Sequence, residues 1–294
     1  MKKIIGSMAL VAALGLNASA LYFDGGVSGV TGPGGYRGTK LDLVIGGDSL
    51  AFEPSMASYT SDALDKTLRS YGLRVAKETE VYTLGVEAGM TPDTDYGPAA
   101  NNSSYKNQYA GADFTLSLSP TGGGHARLAG PGSRGAARGG DGVTRIDVGV
   151  SAKYTAHTQT VASTEFKTNQ GQGSLFAGAK IFMVNLSASY TGYTYGDKEG
   201  NALINPVPGH SFAYGANPKS SVNVKLDIPA TVPMLTPYVS YTGTKYKGGV
   251  DNSNAYLLGA YVDLKMVSAN IAYQIFNDGS GNDSFISLGA GVKF

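Results

Sequence analysis

The 294-residue chain has no cysteine, no tryptophan and only three histidines, and it balances 23 basic side chains against 22 acidic ones. Without cysteine there is neither a disulfide framework nor a lipidated N-terminal cysteine, so the scaffold must rest on hydrogen bonding and packing. A formal charge of +1 offers no field to hold a polyanion, and nucleic acid is not an expected partner. The histidines, His125, His157 and His210, are far apart in sequence and set no metal-ligand spacing. No metal and no cofactor is implied. Also missing is any apolar run of the roughly 20 residues that a helix needs to cross a hydrocarbon core. A helical membrane protein is thereby excluded, whereas one that crosses with strands is not.

The nearest approach to an apolar run is at the start, in MKKIIGSMALVAALGLNASA. Lys2 and Lys3 form a short basic region, Ile4 to Leu16 an apolar one, and Ala18-Ser19-Ala20 a small-residue cleavage pattern. Residues 1–20 read as a secretory signal, with cleavage expected before Leu21. The apolar stretch is too short for an anchor. Residues 21–294 are the expected mature domain.

What the mature chain has in abundance is period-two alternation, with 42 glycines and 19 tyrosines. In VTRIDVGVSAKY, Ile146, Val148, Val150, Ala152 and Tyr154 share one face, while Arg145, Asp147, Gly149, Ser151 and Lys153 share the other. In SSVNVKLDI, Val222, Val224, Leu226 and Ile228 oppose Ser221, Asn223, Lys225 and Asp227. Segments of about ten residues are the length that a tilted strand needs to cross an apolar band about 25 Å tall. Tight turns around Ala76 to Glu80, Met183 and Met266 alternate with longer polar stretches at 91–107, 156–170, 196–218, 248–254 and 277–282. The alternation predicts short turns at one end of a barrel and long loops at the other.

The chain stops on DSFISLGAGVKF, an amphipathic strand with an aromatic as its final residue. Ser287, Gly289, Val292 and Phe294 match the polar, glycine, hydrophobic, aromatic spacing of a terminal assembly signal, with Val292 where an aromatic is more usual. On these residues the protein resembles Gram-negative outer-membrane β-barrel proteins, porin-like ones in particular. The resemblance implies an antiparallel up-and-down barrel in the outer membrane, lipopolysaccharide as surroundings, and the barrel-assembly machinery as the partner that reads the last strand. Classical trimeric porins have more strands and an inward constriction loop. No loop here shows that character in sequence, so a monomer is expected.

Counting back from the C-terminus places strands near 283–294, 268–277, 254–265, 234–246, 219–228, 184–195, 171–182, 143–154, 108–118, 79–89 and 67–76. An even total is required. Segments 22–31, 37–46 and 50–59 raise the count to 14. The alternative of 12 keeps only 37–46, because Pro54 weakens the third candidate.

On this register the lumen face carries Lys40, Arg74, Arg145, Lys153, Lys180, Lys225 and Lys265 together with Asp42, Glu87, Asp113, Asp147, Asp227 and Asp263. Glu53 and Lys293 point the same way. The signs nearly cancel, and many inward neighbours are glycine or serine. Fourteen strands enclose more lumen than the eight that side chains can just fill. A passive channel for small hydrophilic solutes, weakly charge-selective, is the expectation. Outward aromatics, among them Tyr71, Tyr82, Phe114, Tyr154, Tyr190, Tyr241, Tyr256, Tyr273 and Phe294, suit interface girdles. Phe176, Tyr238 and Tyr261 are the aromatics expected inside. The competing readings are a plugged transporter of hydrophobic substrates, resembling the fatty-acid channels, and a surface barrel whose long loops bind or adhere. No catalytic constellation is legible, and an enzyme is not expected.

One stretch breaks the pattern. Residues 121–142 hold nine glycines and three of the seven arginines, with no lysine and no aromatic. They fall where a short periplasmic turn belongs. The segment reads as a disordered low-complexity turn or a foreign insertion. A phosphate-binding loop is disfavoured, since GxxxxGK[ST] is absent.

Overall fold

The computed structural model describes residues 22–47, 49–64, 66–95, 103–118, 127–132, 144–182, 184–196, 203–210, 212–229, 234–264 and 266–294. Residues 1–21, on which the expected secretory signal falls, Lys265 and most of 121–142 lie outside them. Among the described residues there are sixteen strands and no helix: β1 (Tyr22–Thr31), β2 (Arg37–Gly46), β3 (Leu50–Thr60), β4 (Leu68–Glu78), β5 (Tyr82–Asp95), β6 (Ser104–Leu118), β7 (Thr144–Val161), β8 (Thr164–Ile181), β9 (Val184–Tyr195), β10 (Ile204–Pro206), β11 (Ala213–Gly215), β12 (Pro218–Asp227), β13 (Leu235–Tyr246), β14 (Ser253–Asp263), β15 (Val267–Asn277) and β16 (Asn282–Lys293). Fourteen of them close an antiparallel barrel in which every neighbour is adjacent in the chain, except that β9 meets β12 and β1 meets β16. The remaining two, β10 and β11, pair only with each other.

Closure joins the two terminal strands in unbroken register from Asp24 opposite Lys293 to Thr31 opposite Ile286. Beyond it, the Phe23 and Phe294 backbones exchange hydrogen bonds of 2.7 and 2.9 Å, and their rings stack at 5.0 Å. Pro54 is accommodated without a slip. The β2–β3 ladder lapses at Leu43 and Val44, opposite Pro54 and Glu53, then resumes in the same register at Ile45 opposite Phe52. Proline lacks only the donor, so the cost is a local gap in one ladder and the count of 14 stands.

The outer face is an apolar belt with a different rim at each end. Tyr71, Tyr154, Tyr190, Tyr241, Tyr256 and Tyr273 are exposed toward the end that carries the long hairpins, the extracellular end on the expected orientation. The opposite rim carries Phe114, Phe182 and Phe294, of which Phe182 and Phe294 are 73% and 72% exposed. Tyrosine offers a hydroxyl to a polar headgroup layer, whereas phenylalanine only extends the apolar band.

Two stretches expected as loops are strand instead. β7 and β8 run eighteen residues each and pair without a break from Thr144 opposite Ile181 to Val161 opposite Thr164. Thus 156–170 is a hairpin that rises past the tyrosine rim, turned by Ala162 and Ser163 at positive φ. Similarly, β5 and β6 extend into 91–107, with a bulge between Thr91 and Thr94 that takes up Pro92.

Candidate functional site: the lumen

Every described residue expected to face inward does so by strand parity, and the side chains meet in groups that the sequence did not show. Toward the periplasmic end Arg74 lies at the centre of a buried network. Its Nη1 donates to Glu53 at 2.6 Å, and its Nε and Nη2 donate to the two oxygens of Asp113 at 2.9 and 2.8 Å. The two-pronged contact matches guanidinium to carboxylate. A second group joins Arg145 to Asp147 at 3.1 Å, with Ser117 donating to the same Asp147 oxygen at 2.6 Å. Asp147 is completely buried. Elsewhere on the wall Lys153 pairs with Glu87, Lys225 with Asp227, and Lys293 with Asp263, at 2.9, 2.8 and 2.7 Å. Lys180 is half-buried on the same face.

The glycine-rich stretch departs, in its described part alone, from the disordered turn expected of it. That part, residues 127–132, lies inside the barrel, with Arg127, Leu128 and Ala129 buried and Gly130, Pro131 and Gly132 half-buried. Arg127, 2% exposed, donates from Nε to Thr83 at 2.7 Å and from Nη2 to the Thr79 carbonyl at 2.6 Å. The Leu128 amide donates to the free oxygen of Asp147 at 2.7 Å. Leu128 and Ala129 are buried too. Gly130, at φ +89°, passes so close to Phe176 that a Cβ would strike the ring. These six residues anchor an inward segment, and arginine serves here because a planar fork can satisfy several acceptors at once.

The extracellular end is occupied in another way, again against expectation. The stretch 203–217 folds into the lumen as the β10–β11 hairpin. Its tip is Val207-Pro208-Gly209-His210, where the His210 amide donates to the Val207 carbonyl at 3.1 Å and Gly209 has φ +75°. Proline followed by a positive-φ glycine defines a type II turn. Val207 and Phe212 pack with Val30, Ala255, Phe276 and Phe285, flanked by Tyr36 and Tyr214. Phe212 stacks on Phe285 at 4.5 Å and meets Phe276 edge-on at 5.0 Å. At the tip, His210 Nδ1 and Nε2 lie 3.0 Å from Gln274 Oε1 and Thr242 Oγ1, and Thr242 donates to the Pro208 carbonyl at 2.9 Å. Burial pushes the His210 imidazole down to about 4, an effect the Gln274 contact only partly offsets.

A directional hydrogen-bond chain ties the hairpin to the tall β6–β8 wall. Asn107 donates to the Tyr105 hydroxyl, and that hydroxyl lies 2.8 Å from His157 Nδ1. His157 Nε2 donates to Gln170 Oε1 at 3.0 Å, and Gln170 donates to Asn205 on β10 and to Tyr195 at 3.1 Å each. An amide oxygen can only accept, so Nε2 carries the imidazole proton and Tyr105 donates to Nδ1. His157 is thus a buried link in a structural network, 4% exposed.

Between the two inward segments lies a cavity of about 470 Å3. It runs along β1, β2, β3 and β16, where Gly26, Ser28, Ser55, Gly289 and Gly291 leave room, and Lys40 and Asp42 stand half-exposed in it as a 2.9 Å pair. Gly132 and Tyr261 border it. Above it Val30, Gln274 and Ser287 are buried at the hairpin's level. The lumen is also richer in aromatics than expected: Tyr105, Phe212, Phe276 and Phe285 join Phe176 and Tyr238 as buried rings. The signal for the hairpin was present as Leu203, Ile204, Val207, Phe212 and Tyr214 around a Pro-Gly pair, in a stretch expected to be a polar loop. Of the terminal residues, Ser287 and Gly289 face the lumen, whereas Val292 and Phe294 face outward.

The barrel fold is shared with solved structures at low sequence identity. CdiB from Acinetobacter baumannii aligns over 94% of this chain with a TM-score of 0.55 at 10% identity, and the chain spans 60% of CdiB's length. The CymD monoaromatic hydrocarbon channel aligns over 98% of this chain and 91% of its own, with a TM-score of 0.53 at 11% identity. No protein-family model matches the sequence, and no curated protein matches it. The chain has the fold of a Gram-negative outer-membrane β-barrel protein, with fourteen strands in a closed antiparallel barrel.

Proposed function

We propose that the protein is a porin-like channel of the outer membrane that passes small hydrophilic solutes, with the β10–β11 hairpin as its extracellular constriction. The observation that carries this reading is the polar, partly solvated cavity at mid-barrel, where Lys40 and Asp42 keep side-chain exposures of 51% and 50% inside the wall. A lumen built to stay dry would leave neither group half-open, since a buried charge is expensive unless closely paired. On this proposal residues 1–20 direct export, the terminal strand is read by the barrel-assembly machinery, the barrel works as a monomer among lipopolysaccharide, and it catalyses no reaction. Swelling of liposomes containing the refolded protein, with sugars and amino acids of graded size, tests the reading. Swelling that falls off with solute size is expected. Liposomes that hold a folded barrel and swell with none of these solutes would contradict it.

A second reading has its own observation. Phe212, Phe276 and Phe285 form an aromatic cluster in the extracellular third, and CymD, similar in fold, is a monoaromatic hydrocarbon channel. Uptake of an aromatic hydrocarbon without permeation by sugars would favour it.

A further inference from the structure

The charges around the mid-barrel cavity are not evenly available to a solute. Asp24, Asp42, Glu53 and Glu87 line it against only Lys40 and Arg74. Both cations are committed, Lys40 to Asp42 at 2.9 Å and Arg74 to two carboxylates, Glu53 at 2.6 Å and Asp113 at 2.8 Å. Asp24 has no cationic partner among the described residues. Lys293, opposite it across the β1–β16 closure, turns away and gives contacts of 2.9 and 2.7 Å to Asp263.

A second, independent feature points the same way. Tyr109 and Tyr261 line the cavity, and each already holds an ammonium over its ring. Lys153 sits 4.8 Å from the Tyr109 centroid and Lys225 sits 5.1 Å from that of Tyr261. The ring quadrupole attracts cations, so these lysines lie against the wall, where Lys153 also pairs with Glu87 and Lys225 with Asp227. Asp42, Glu53 and Glu87 are paired as fully as Lys40, Arg74 and Lys153, so the carboxylate left over at the open volume is Asp24.

Resting on the channel reading, we infer that the mid-barrel cavity selects for cations, with the unpaired Asp24 carboxylate as its principal selectivity determinant, and that the preferred solutes are small inorganic or organic cations. An excess of one sign in a confined lumen raises the local concentration of counter-ions, and acidic side chains on a pore wall favour cations.

The test is the reversal potential of the refolded chain in a planar bilayer across a KCl gradient, for the intact protein and for Asp24→Asn and Asp24→Lys. The intact channel is expected to favour K+ over Cl− several-fold. Asp24→Asn should move the reversal potential toward zero, and Asp24→Lys further toward the chloride side. Heat-modifiable gel mobility verifies that each variant has folded. Should an Asp24 variant fail to fold, Asp42→Asn, at a half-exposed position, replaces it with the same expected direction. A conducting channel that reverses at zero or on the chloride side overturns the inference and leaves the channel reading intact. So does a reversal potential unmoved by these substitutions. Absence of conductance from both the intact chain and one with the hairpin shortened overturns the channel reading and the inference together.

Discussion

The two ends of the lumen are filled by inward segments held on opposite physical principles. At the extracellular end the β10–β11 hairpin is held by apolar and aromatic contacts, with Phe212 between Phe276 and Phe285 and a few neutral hydrogen bonds at His210. At the periplasmic end residues 127–132 are held through Arg127, Thr83 and Asp147, beside the Arg74 and Arg145 networks. An apolar clasp can part and reform, because exposing it leaves no uncompensated charge. A buried ion network cannot part so cheaply, since each separated partner stays in the wall without its counter-charge. The comparison assigns movement to the extracellular hairpin and rigidity to the periplasmic wall.

The sharpest way to break the comparison is at Arg74. Arg74→Leu removes the donor to Glu53 and Asp113 and leaves two buried carboxylates, at a cost of about 3–5 kcal/mol. It should appear as a lower midpoint in urea unfolding followed by gel mobility. Phe212→Ala should cost a comparable 3–5 kcal/mol by the usual scale for a buried phenylalanine, but only in docking of the hairpin. Faster proteolysis at 203–217 with an unchanged barrel midpoint is the expected outcome, and a fall in that midpoint would erase the distinction between the two ends.

Acid provides a milder lever. The docked His210 has its imidazole depressed to about 4 from an ordinary 6.5. The released hairpin therefore binds a proton that the docked one refuses. Docking is at full strength above about pH 6.5 and weakens as pH falls toward 4, by up to about 3 kcal/mol when the whole shift is lost. Channel flicker that rises between pH 6.5 and 4 and is abolished in His210→Gln would bear this out. The smallest effect is expected at the exposed Lys66 and Asp95 pair. Despite its 2.7 Å separation, Lys66→Ala should change stability by less than about 1 kcal/mol in the same urea assay.

The barrel wall was legible in the sequence because one face of each spanning strand meets lipid. Ile146 to Tyr154 alternate with Arg145 to Lys153, and the strand they predict is there. Where that constraint ends, so does legibility. Above the tyrosine rim β7 and β8 continue with Thr155, His157 and Gln159 inward and Ala156, Thr158 and Thr160 outward, and a polar-on-both-faces strand reads as a loop. The inward segments were hidden for a related reason. Arg127 and Phe212 find their partners on strands distant in sequence, and no local period records that meeting. Pro54 misled in the other direction, since a gap in one ladder preserves the register on both sides of it.

The central claim, a polar channel constricted by a movable extracellular hairpin, is tested most directly by single-channel conductance of the intact chain beside one in which 203–216 is replaced by a short glycine-serine linker. The account predicts small, flickering openings from the intact protein and several-fold larger, steady ones from the shortened protein, with equal barrel stability. Equal conductance from the two would contradict the hairpin's role, and silence from both folded barrels would contradict the channel itself.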